Sequence, residues 1–159
     1  MTEASLTLEE QGEAARAFLS GLFDAFGYEA TFDVELRDAE TVEVRAHGDN
    51  LGLLVGPRGA TLAAVQDLTR TFVQRQSEAR TDRVLVDIAG YREKRTAALQ
   101  RFTTGIVEEV VASGEERALE PMGAADRKVV HDTVNSLAGA RTRSEGVEPR
   151  RYIVIEPVR

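Results

Sequence analysis

The chain lacks cysteine and tryptophan, and it holds two histidines among 159 residues. Without thiols there is no disulfide, no thiolate metal site and no cysteine nucleophile. His47 and His131 are too few for a histidine-built metal centre, and no cofactor motif appears. Aromatics are only 6% of the residues, so a core must come from Val, Leu, Ile and Ala. No apolar run reaches the about 18 residues that a membrane helix requires. Met1 to Leu8 show no basic stretch followed by an apolar one, the mark of a secretory leader. These absences predict a cytoplasmic protein with no metal, cofactor or membrane contact. What is present, 42% hydrophobic and 30% charged residues, is the balance of a soluble globular protein, enough for one ordinary domain or two small ones in series.

Taken whole, a net charge of −7 argues against a nucleic-acid ligand. Its distribution says otherwise. Residues 1–50 hold 12 acids and 3 bases, residues 51–89 hold 4 and 5, and residues 90–159 hold 11 and 12. The excess acid therefore lies in the first third. Local patches govern phosphate attraction, because screening confines it to about 8–10 Å. The bases are 18 Arg against 2 Lys, and arginine suits planar contact with phosphate.

After a flexible tail expected over 1–6, Thr7 and Glu10 form a capping box. Ala15, Phe18, Leu19, Leu22 and Phe26 then recur at helical spacing up to Gly27. Two alternating runs follow, Phe32-Val34-Leu36 and Val42-Val44-Ala46, close enough to pair as an antiparallel hairpin, with His47 in the loop beyond. The apolar stretch 51–55 leads into Gly56-Pro57-Arg58-Gly59, and Leu62, Val65, Leu68, Phe72 and Val73 mark the next helix. Val84, Val86 and Ile88 predict a strand. A second unit begins at Gly90, with one helix marked by Leu99, Phe102, Ile106 and Val110, another by Val130, Val134 and Leu137, and extended pieces at 141–144 and 151–156. The fold class is α+β.

Two clusters carry chemistry. Glycines three apart let the backbone approach a ligand and take positive φ, while a following helix start attracts anions. Arg58 adds a cation at the tip, although Pro57 removes one N–H donor. Alone, the pattern also fits a plain turn between two helices. Arg127 and His131, four apart on a predicted helix, share a face at the edge of the apolar stripe, with Lys128 further round. They fit a solvent-reaching ridge facing phosphates, or simply a half-exposed helix surface. His131 and Asp132 point about 100° apart, so they form no acid–base pair unaided. Carboxylates are plentiful without an ordered cluster, which argues against phosphodiester hydrolysis and any enzyme role.

In context the two clusters point to a family. Helix, strand, strand, short helix, Gly-x-x-Gly turn, helix and strand resemble a type II KH domain over 7–89. Leu119-Glu120-Pro121-Met122, Asp126 to His131, Ser144-Glu145-Gly146 and Arg150 to Ile155 resemble the small α/β domain named for Arg-x-x-x-His (the R-three-H domain) over 90–159. The joining segment, Asp87 to Arg95, is similar to that of the bacterial Jag family, also called SpoIIIJ-associated protein or KhpB. The resemblance covers roughly residues 20–159, in the family's order. It implies a cytoplasmic RNA chaperone or post-transcriptional regulator tied to cell elongation and division. The implied ligand is single-stranded RNA or single-stranded DNA; the implied protein partner is a small single-KH protein or a second copy of the chain. It carries a phosphate-loop role onto Gly56, Pro57, Arg58 and Gly59, and a signature role onto Arg127 and His131, with Lys128 beside them. The separate N-terminal Jag domain of longer members has no counterpart in this reading. A protein-interaction module with little RNA binding is the competing reading, in which the acidic first helix is a docking face.

Overall fold

The computed structural model describes residues 5–77 and 83–158. The chain divides into two compact units, Met1–Tyr91 and Arg92–Arg159, each mixing helices with a three-stranded sheet. Among the described residues no helix is long and apolar enough to cross a membrane.

In the first unit, Thr7 caps α1 (Leu8–Ala25) with both halves of the predicted box. The Glu10 amide donates to Thr7 Oγ1 at 3.2 Å, and the Thr7 amide donates to Glu10 Oε2 at 2.7 Å. Of the tail expected to be flexible, residues 1–4 lie outside the described residues. Leu6 is tied down: its amide donates to Ser77 Oγ and its carbonyl accepts from Gln11 Nε2. Helix α1 buries Ala15, Leu19 and Phe23. Phe26, the C-cap of this helix, is exposed, contrary to the periodicity.

β1 (Thr31–Leu36) and β2 (Val42–His47) form the predicted antiparallel hairpin. His47 closes β2 rather than lying in a loop, and its Nε2 meets Asp33 at 2.9 Å. Short α2 (Gly52–Val55), a 3-10 turn (Pro57–Gly59) and α3 (Ala60–Gln76) cross over to β3 (Val84–Ile88), which pairs parallel with β2. A parallel pair needs such a crossover. One sheet face, with Val42, Val44, Ala46, Val84, Val86 and Ile88, is fully buried in the core. On α3, Leu62, Val65, Thr69 and Val73 are buried while Leu68 is exposed, so Thr69 takes the place expected for Leu68. It can do so because its hydroxyl donates to the Val65 carbonyl at 2.7 Å, leaving no unpaired polar atom there.

The second unit runs α4 (Tyr91–Ser113), β4 (Arg117–Ala118), α5 (Ala124–Asn135), β5 (Ala140–Glu145) and β6 (Tyr152–Pro157). Its sheet has the order β4-β6-β5 and is antiparallel throughout, unlike the parallel arrangement typical of α/β units. The core joins Leu99, Ile106, Val107, Val110, Val130, Val134, Ile153 and Ile155. Phe102 is exposed, and Thr103 takes the inward position instead. A two-residue strand such as β4 carries no period and was not legible in advance. The Arg95 guanidinium joins α4 to α5 by donating to Asp126 Oδ2 at 2.8 Å.

Candidate nucleic-acid interface

The turn at 56–59 is built by its two glycines. Gly56 has φ +72° and Gly59 has φ +76°, a region that side chains other than glycine's adopt at a cost. Space is closed as well. A Cβ on Gly56 would lie 2.2 Å from Thr61 Oγ1, and one on Gly59 would lie 2.6 Å from the Tyr91 ring. Thr61 and Tyr91 thus support the turn from behind, a role no local pattern announces. Between the glycines, Pro57 and Arg58 are exposed, and Arg58 itself takes φ +52°.

The amides of this turn do less than the Gly-x-x-Gly pattern promises. Gly56 donates to the Gly52 carbonyl, Gly59 to Gly56 and Ala60 to Pro57. Pro57 has none to give. The Arg58 side chain is therefore the cation this turn presents. The other described arginines of the first unit are mostly committed: Arg16 to Glu13, Arg37 to Glu43, Arg45 to Glu43 and Glu35, Arg70 to Asp67 and Arg83 to Glu40. Among the described residues Arg58 has no such partner. No acid occupies the first turn of α3, so nothing opposes an anion there. Leu53, on α2 just before the turn, is 78% exposed and offers an apolar surface beside it.

The second cluster corrects the sequence reading. Arg127 does not reach solvent: its side chain is 11% exposed and folds inward. Nη1 donates to the Met122 carbonyl at 2.7 Å and Nη2 to Glu148 Oε1 at 2.6 Å. Helical spacing gives a side chain's angular position but not the direction in which a long guanidinium folds, and Glu148 lies 21 residues away in the chain. Lys128 and His131 are exposed as expected. Lys128 pairs with Asp132, and His131 Nδ1 is hydrogen-bonded with Thr142 Oγ1 on β5. The structure thus brings Lys128 and His131 onto the open side of α5 and removes Arg127 from it.

Tyr91 and Tyr152, whose rings are of the kind a base can stack on, are half-buried. Tyr91 packs against Gly59, and the Tyr152 hydroxyl donates to Glu145 Oε2 at 2.9 Å. That bond holds the Glu145 carboxyl below its ordinary range, after the larger effect of Arg143, and pushes the Tyr152 phenol up. Among the described residues no group of acids and histidines is arranged to hold a metal ion.

Comparison with known proteins adds a family to this geometry. The profile of the R-three-H domain matches residues 97–157. The RNA-binding protein KhpB of Clostridium symbiosum is 33% identical over 144 residues, covering 90% of this chain and 64% of that protein. KhpB of Bacillus subtilis is 30% identical over 145 residues, covering 90% of this chain and 69% of that protein. KhpB of Lactiplantibacillus plantarum is 35% identical over 104 residues, covering 65% of this chain and 32% of that protein. The chain thus spans from about a third to about two thirds of the length of these relatives.

Proposed function

We propose that this chain, which belongs to the KhpB family, is a single-stranded RNA-binding protein of the cytoplasm, its first unit a type II KH domain that grips phosphates at residues 56–59. The carrying observation is Arg58: an exposed guanidinium, without a carboxylate partner among the described residues, at the tip of a turn whose glycines leave no bulk beside it. The order of elements in the first unit and the parallel β2–β3 pair support the KH reading. The relatives' names support the RNA ligand. Lys128 and His131 present a second polar surface on the R-three-H unit.

With stacking aromatics scarce and few exposed cations, affinity is modest and base selectivity low. That profile suits an RNA chaperone or post-transcriptional regulator, and single-stranded DNA is held through the same phosphate contacts. The protein acts without catalysing a reaction.

The test is to replace Pro57 and Arg58 together by Asp and to measure binding of an unstructured RNA oligomer. Two carboxylates would then face the phosphates, and binding is lost while the circular dichroism and melting of the protein stay as in the native chain. Undiminished binding by this folded variant would sink the role of the turn. Native binding that ignores salt would favour the protein-interaction module, because phosphate contacts on a single strand contribute a slope of about −0.7 each.

A further inference from the structure

Most bases described in the second unit are neutralised within it. Arg95 pairs with Asp126, Arg117 with Glu109, Lys128 with Asp132, Arg141 with Glu156, and Arg143 with Glu116, Glu145 and Glu156. Arg150 and Arg151 differ. They are adjacent, exposed and, like Arg101, without a side-chain hydrogen bond or ion pair among the described residues. Both sit in the 146–151 loop between β5 and β6, next to Val147, which is 79% exposed. Neither guanidinium contributes a bond to the fold, and two adjacent positive charges repel each other weakly in water unless an anion offsets them.

The same loop is held from beneath by Arg127. The Met122 carbonyl and the Glu148 carboxylate both accept from its guanidinium, and the Met122 amide donates to the Arg151 carbonyl at 3.1 Å. One inward-turned side chain therefore links the approach to α5 and the loop that carries Arg150 and Arg151. Glu148 is engaged with Arg127 from its position two residues before Arg150.

We infer that Arg150 and Arg151 form a phosphate-contacting site of the R-three-H unit, and that Arg127 acts on the ligand through them, as the residue that positions their loop. This rests on the reading of the chain as an RNA binder and assigns part of the contact to residues outside the Arg-x-x-x-His signature.

The experiment titrates an unstructured RNA oligomer against the full chain at several salt concentrations. Replacing Arg150 and Arg151 by Ala weakens binding and flattens the salt dependence by about 1.4, two contacts at about 0.7 each, with melting unchanged because neither side chain has a partner to lose. Glu148→Gln weakens binding in the native chain although it removes a negative charge, and adds nothing once Arg150 and Arg151 are Ala. Unchanged affinity and slope in the Arg150/Arg151 variant, with native binding intact and the Pro57/Arg58 variant defective, would overturn the site and leave the RNA reading standing. Tighter binding by Glu148→Gln would overturn the positioning role of Arg127. A native chain that binds no RNA would overturn both readings together.

Discussion

The turn at 56–59 and the loop at 146–151 both present exposed arginines, but they are shaped by opposite means. The first is a backbone device: glycines at positive φ pack against Thr61 and Tyr91, and no buried charge is involved. The second is a side-chain device, held by the Arg127 guanidinium between the Met122 carbonyl and Glu148. The difference teaches that an arginine inside a signature need not be one that the fold leaves exposed. In the turn, Arg58 belongs to the motif and faces solvent. In the second unit, the motif's arginine faces inward while arginines 23 and 24 positions further on face out.

The comparison breaks first at the glycines. Gly56→Val should both unfold and disarm the turn, because a branched Cβ must take φ +72° and lie 2.2 Å from Thr61 Oγ1. Such backbone strain costs about 1–3 kcal/mol before the clash is counted. A urea titration of the variant should show at least that loss; a midpoint equal to the native one would mean the turn relaxes freely.

A smaller effect is expected at the other loop. Glu148→Gln leaves the Arg127 guanidinium its bond to Met122 but no anion. Removing one partner of a fully buried pair costs several kcal/mol. Glu148 is 58% exposed, so water screens the pair and the loss should be only about 1 kcal/mol. Thermal melting at fixed pH measures it, and a loss as large as that of Gly56→Val would mean the two loops do not differ in kind.

The smallest effect lies in pH. Hydrogen bonding to Glu145 raises the Tyr152 phenol above its ordinary 10.0. A raised pKa stabilises the fold below the unfolded value, and this contribution is lost as pH rises through the folded value. Arg143, then Tyr152, lower the Glu145 carboxyl below its ordinary 4.5, so its contribution is present above that value and fades as pH falls below it. Tyr152→Phe should therefore flatten the melting profile above about pH 10 and soften the acid limb only slightly, since Arg143 remains. An alkaline limb identical to the native one would show that the phenol bond contributes nothing.

Much of this was legible in the order of residues. The capping box, the hairpin, the strand at 84–88 and the glycine turn are local patterns, each set by neighbours a few positions apart. The errors fall where tertiary packing chose between adjacent residues. Thr69 displaced Leu68, because a Thr whose hydroxyl bonds within its own helix can be buried; Thr103 displaced Phe102 although, among the described residues, its buried hydroxyl has no hydrogen-bond partner. Arg127 was misplaced because its partner comes from another element.

What the chain alone determined, then, is the succession of elements apart from β4, the cationic turn at Arg58 and membership in a family with an R-three-H unit. Only the tertiary structure decided which arginines remain available. An ion pair depends on two residues being close in space, and the pairs that occupy Arg127, Arg143 and Arg45 include partners 10 to 27 residues away. Availability of a charge is thus a property of the folded neighbourhood, which a linear motif does not encode.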